Sequence, residues 1–150
     1  MEHGWSLDVA PWQNLRDFTQ DKELTWKTTP FDKFYKDRIP ISSGVYIICV
    51  TPPSDIPVPQ KFYSPIYIGK ASESIQDRFM YHLSPQAMPK VKKARQVYKL
   101  WDNEPMFQFT KVNKIYVAEL ESILIDCFGP TSNDVPGIRL EVDYIENNLD

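Results

Sequence analysis

Arg78 and His82, four residues apart, are a pair whose types and spacing suit chemistry on an anion. At about 100° per residue, with Ile75 set at ~0°, Phe79 lies at ~40° and Leu83 at ~80°, so these three form one apolar stripe. Arg78 then falls at roughly 300° and His82 at roughly 340°, neighbours on the edge of that stripe. A guanidinium and an imidazole on one half-buried edge, soon after a strand ending in Gly69, are placed to face a phosphate. The plainer alternative pairs Arg78 with a surface carboxylate and makes His82 a satisfied edge histidine. Glu121 is the third candidate. With Leu120 at ~0°, Val117, Leu124, Cys127 and Phe128 fall between about −20° and 80°, and Glu121 at ~100° lies inside the apolar arc. Glu119 and Asp126, at roughly 260° and 240°, face solvent. A carboxylate aimed toward a sheet is costly unless paired or metal-bound. A salt bridge to Arg78 or to a lysine is its structural alternative.

The elements that must position these residues follow from pattern. Gly44 to Val50 is a β-branched apolar strand, and Ile66 to Gly69 is a second. Between them Pro52, Pro53, Pro57, Pro59 and Pro65 exclude helix or central strand and make 51–65 a surface loop, so the two strands form an antiparallel hairpin. Glu73 to Leu83 is a helix with Ser72 as N-cap, and Lys90 to Trp101 is a second, basic helix. Met106 to Tyr116 alternates as a third strand. Val117 to Phe128 is a helix that Gly129 and Pro130 end. Short helices are expected at Asp17–Leu24 and Phe31–Tyr35, and a short strand at Ile138–Val142 before an acidic tail. The expected fold is α/β of the α+β type: a three-stranded antiparallel sheet flanked by helices. Residues 1–41, with Trp5, Trp12 and Trp26, read as an aromatic extension packed on a domain formed by 42–150.

Composition removes several function classes. Two cysteines and two histidines leave no structural zinc site, and five glycines without a phosphate-cradling loop exclude P-loop and dinucleotide folds. The longest apolar run, Val45 to Val50, is far short of a membrane span. Cys49 and Cys127 sit in apolar stretches and read as reduced core residues of a cytoplasmic protein.

Gly44-Val-Tyr46, Tyr67-Ile-Gly-Lys-Ala71, Arg78 with His82, Glu121-Ser-Ile-Leu-Ile125, then Pro130 and Asn133 together resemble the GIY-YIG nuclease superfamily over residues 42 to about 134. The proline loop lengthens the usual spacing between the two tyrosines, which costs little at a hairpin tip. The resemblance implies a metal-dependent endonuclease that hydrolyses DNA phosphodiester bonds, of restriction or repair type. It casts Tyr46 and Tyr67 as hydroxyls near the scissile phosphate and attacking water, with Tyr46 as general base. Lys70 would be the cation that stabilises a phenolate. Arg78 would stabilise the phosphorane, and His82 would bind a phosphate oxygen or relay a proton. Glu121 would hold one divalent ion, Mg²⁺ or Mn²⁺, and Asn133 would tie down the site.

A net charge of −3 is unusual for a DNA-gripping chain. The charge is uneven, however. Lys90, Lys92, Lys93, Arg95 and Lys99 fall in a segment, 84–101, that holds no acid. That helix is either a solvated face or, beside a nuclease signature, the DNA-contacting element. The expected partner is DNA, with a homodimer if both strands are cut and no membrane. The competing readings are a non-catalytic nucleic-acid-binding module, or a protein-interaction module that retains the fold.

Overall fold

Eight consecutive buried residues decide the architecture. A computed structural model of the chain describes residues 9–53, 55–57 and 63–129. Strand β2 (Gly44–Thr51) is buried along its whole length. Its alternation feeds two cores. Tyr46, Ile48 and Val50 enter one with Ile75, Phe79, Val91 and Phe107, while Val45, Ile47 and Cys49 enter the other with Val117, Leu120 and Leu124. A strand apolar on both faces must be covered on both faces. Helices α2 (Ile75–Leu83) and α3 (Pro89–Leu100) cover the first, and α4 (Val117–Phe128) covers the second with α1 (Ala10–Thr19) packed on it.

The protein is α+β, with an antiparallel sheet in the order β1-β4-β2-β3. The other strands are β1 (Lys27–Pro30), β3 (Ser64–Ala71) and β4 (Glu104–Lys111). The sheet therefore has four strands, not the expected three. The extra strand lies in the segment read as an extension, pairing Lys27 with Phe109 and Pro30 with Met106. It is short, lacks an alternating pattern, and ends in a proline that only an edge strand tolerates, so nothing local announces it. The β2–β3 hairpin forms as expected, with a bulge opposite Ile48 and Cys49 that leaves Ile66 unpaired. A bulge re-aims the side chains beyond it. Here Ile66 and Tyr67 both pack against the α2/α3 core.

Four boundaries differ from the sequence expectation. Helix α1 begins at Ala10 rather than Asp17, with Pro11 in its first turn, a start signal. Trp12 meets Phe128 edge-on at 5.2 Å and Phe18 meets Tyr116 at 6.0 Å, which docks α1 on α4 and its flank. A 3-10 turn occupies Lys33–Arg38 in place of Phe31–Tyr35. The cap of α2 is Ser74, whose hydroxyl accepts from the Asp77 amide at 3.1 Å, rather than Ser72. Strand β4 ends at Lys111, and Asn113 caps a separate 3-10 turn at Lys114–Tyr116. Helix α4 matches at both ends, closed by Gly129 at φ 50°. Cys49 is buried, its thiol pushed up to about 12 by burial, whereas Cys127 is only half-buried. Among the described residues no helix is long and apolar enough to cross a membrane. Pro130, Asn133 and the Ile138–Val142 strand expectation lie outside the described residues.

Gly44 shows how tightly α2 is pressed on the sheet. A Cβ there would overlap the Thr110 carbonyl oxygen and the Ile75 side chain. Backbone cannot yield as a side-chain tip can, so Gly44→Ala is expected to cost about 1–3 kcal/mol. Urea denaturation measures it, and a loss under ~0.5 kcal/mol would mean α2 packs more loosely than described.

Candidate functional site

Strand register brings the candidate residues together. Tyr46 on β2 lies directly opposite Gly69 on β3, and Tyr67 is the diagonal neighbour on the same face. Gly69 is required there. A Cβ at that position would overlap the Tyr46 hydroxyl, so a bare backbone leaves the pocket into which the phenol folds. Phe107 of β4 stacks on the Tyr46 ring at 5.2 Å and fixes its plane from the other side. Tyr46 is consequently 0% exposed.

Helix α2 then delivers Arg78 and His82 to the Tyr46 hydroxyl. Arg78 Nε donates to Tyr46 Oη at 3.4 Å, and Tyr46 Oη lies 2.8 Å from His82 Nε2. Arg78 can only donate, so the phenol accepts there, and we assign its own O–H as the donor to His82 Nε2, its partner at 2.8 Å. That assignment makes His82 the neutral tautomer with its proton on Nδ1, a buried atom without a partner among the described residues. Burial, helped by the positive charges of Arg78 and Arg95, pushes the His82 pKa down to about 3. Tyr67 shares a side-chain hydrogen bond with Tyr46, and its ring lies 5.1 Å from the His82 ring. With Arg78 donating and His82 accepting, the Tyr46 hydroxyl is satisfied both as acceptor and as donor. Burial raises the pKa of both phenols, more so for Tyr46, and the negative charge of Glu121 adds to the rise.

Glu121 comes from the opposite face of the sheet. Because β3 is an edge strand, α4 can pass Glu121 around that edge, where its carboxylate accepts from the Lys70 amide. The carboxyl is half-buried, and its pKa is raised by desolvation against the opposing pull of Lys70 and Arg78. Among the described residues Glu121 makes no ion pair within 4 Å, and neither does Arg78. The salt-bridge alternative for each therefore fails within that set. Arg78 instead lays its guanidinium over the Tyr81 ring at 4.4 Å, a neighbour three residues on that its helical spacing could have revealed.

Two expectations need correction. Lys70 is exposed and acts on Glu121; the cation on the Tyr46 hydroxyl is Arg78. Arg95 is not part of an outward basic face. Its Nη1 donates to the His82 carbonyl at 3.0 Å and its guanidinium stacks over Phe31 at 4.5 Å, which fastens α3 to α2 at the functional histidine. Lys92 donates to the Pro85 carbonyl at 3.3 Å, Lys90 and Lys93 are half-buried, and Lys99 is exposed. Asn133 lies outside the described residues.

Among the described residues no three of His, Cys, Asp and Glu converge on a point. Among the described residues a divalent ion at this site would have Glu121 as its carboxylate ligand. One hard carboxylate oxygen, half-desolvated and without a cation in contact, suits Mg²⁺ or Mn²⁺, which keep waters and take substrate phosphate as ligands. No family model, curated protein or solved structure matches the chain.

A buried histidine that must stay neutral gives a pH signature. The unfolded chain binds a proton at His82 below about pH 6.5 and the folded chain only near pH 3, so stability is full above 6.5 and falls as pH drops toward 3. Between pH 6.5 and about 5 this loss reaches up to about 2 kcal/mol, and His82→Gln should remove it. Denaturation midpoints of both proteins at the two pH values test this. Equal pH dependence would contradict a neutral buried His82.

Proposed function

We propose that the chain is a metal-dependent endonuclease that hydrolyses DNA phosphodiester bonds at a GIY-YIG-like site, in a restriction or repair role. The observation that supports it best is the Tyr46 hydroxyl held between Arg78 and neutral His82, with Tyr67 beside it and Glu121 at the β3 edge. Phosphodiester hydrolysis needs a group that orients the water, positive charge for the phosphorane and a ligand for a metal ion. The cluster supplies each from a different element.

Exposure supports a division of roles. Tyr46 and His82 are sealed from solvent, whereas Tyr67, Arg78 and Glu121 are half-buried and reachable. Tyr67 is therefore the phenol that meets the attacking water. Tyr67 Oη orients that water, and the proton the water gives up leaves to solvent at the half-buried front, because His82 is held neutral by burial and by the charges of Arg78 and Arg95. Burial disfavours a phenolate at either tyrosine, so no tyrosinate accumulates. Arg78 keeps N–H groups beyond Nε for a phosphate oxygen. Lys70 adds exposed positive charge near Glu121. A divalent ion held at Glu121 supplies Lewis-acid stabilisation of the phosphate and the leaving oxygen. One site per chain implies two copies if both strands are cut.

Nicking of supercoiled plasmid tests this reading. Wild type should nick with Mg²⁺ or Mn²⁺ and stop in chelator, and Glu121→Gln or Arg78→Ala should each lower the rate at least ~100-fold without unfolding the protein. Cleavage indifferent to Glu121 and to chelator would contradict it. Binding without cleavage by wild type on plasmid, branched and nicked DNA would favour a non-catalytic module.

A further inference from the structure

The C-terminal end of α3 exposes two large apolar side chains in succession, Leu100 at 71% and Trp101 at 73%. The turn that carries them is built, not frayed. The Asp102 amide donates to the Lys99 carbonyl at 3.0 Å and the Asn103 amide to the Tyr98 carbonyl at 3.1 Å, the paired bonds of a helix stop that usually uses glycine. Asp102 instead holds the left-handed conformation at φ 58°. The Asn103 side chain donates to the Thr51 carbonyl at 3.2 Å, which anchors the turn to the end of β2. These three bonds fix the backbone of the turn on which the exposed Trp101 indole stands.

Its surroundings select the partner. Counting ~100° per residue from Lys90 at ~0°, Lys92, Lys93, Lys99 and Leu100 fall between roughly 180° and 300°, opposite buried Val91 and Ala94 at about 100° and 40°, and exposed Trp101 follows at the helix end. A segment with cations at one end, an aromatic at the other and no acid complements a polyanion that also presents stacking faces. Arg95 fastens this helix to the His82 carbonyl, so the surface is rigid with respect to the Tyr46 cluster.

We propose that α3 is a docking surface for a branched or frayed DNA, its lysines lying on phosphates while Trp101 stacks on an unpaired base. The proposal rests on the nucleic-acid reading above and narrows its substrate to DNA with a single-stranded element. Sequence composition alone could not reach it, because Trp101 closes an unremarkable helix pattern and only its exposure and locked turn single it out.

Fluorescence anisotropy in chelator, where no cleavage occurs, tests it on a forked DNA and on a fully paired hairpin of equal length. Wild type should prefer the fork. Trp101→Ala should weaken fork binding about tenfold and hairpin binding less than ~2-fold, and Trp101→Phe should keep most of the fork affinity. Lys93→Ala with Lys99→Ala should weaken both DNAs alike and flatten the salt dependence. Equal loss on both DNAs in Trp101→Ala, or no loss on either, overturns the stacking role while leaving the nuclease reading intact. Failure of wild type to bind either DNA overturns both. Trp101-dependent sedimentation with phosphatidylserine–phosphatidylcholine vesicles, without fork preference, overturns it in favour of a lipid surface.

Discussion

A fully buried phenol must satisfy its oxygen, and the way Tyr46 does so constrains everything around it. Arg78 donates to it, His82 lies within hydrogen-bond distance, and Tyr67 adjoins it. Each partner fixes an element. Arg78 and His82 set the rotation of α2, Tyr67 sets the hairpin register, and Gly69 makes room for the oxygen. Losing one partner leaves a buried polar group unpaired, which costs about 1–3 kcal/mol. The site is thus part of the core that holds α2 on the sheet, and its geometry is maintained by folding itself.

That arrangement separates the cluster into a sealed back and an accessible front. The back, Tyr46 and His82, lies in a dry environment where neither a phenolate nor an imidazolium is favoured. The front, Tyr67, Arg78 and Glu121, faces whatever binds. Two guanidiniums hold this division. Arg78 spans both regions, and Arg95 supports the C-terminal half of α2 from α3 while opposing protonation of His82.

Much of the fold was legible where one physical signal dominated. The period of α4 and its left-handed Gly129 stop gave that helix to the residue. The apolar run of β2 gave the central strand, and the phase of Ile75, Phe79 and Leu83 put Arg78 and His82 on a shared edge. What pattern could not supply was tertiary. Lys27–Pro30 becomes a strand only because β4 offers it an edge. Whether Tyr46 or Tyr67 is sealed depends on the Ile66 bulge and on Phe107 stacking from another strand. Arg95 carried a readable signal: it shares the helical side of Val91, Ala94 and Tyr98, which points it inward. Counted only as one of five cations, it looked like surface. The GIY-YIG resemblance lined up residues that the fold does bring together at one edge of the sheet, apart from Asn133, which lies outside the described residues. It did not say which hydroxyl is reachable.

The central claim is that His82 is neutral and accepts the Tyr46 hydrogen bond through Nε2. Nitrogen-15 NMR of the two histidines at neutral pH reads this directly, with Tyr46→Phe identifying the coupled ring. The expected result is a neutral His82 with its proton on Nδ1, an Nε2 shift displaced by the Tyr46 hydrogen bond, and no titration down to about pH 4. A charged imidazolium at neutral pH, or a proton resident on Nε2, would contradict the account.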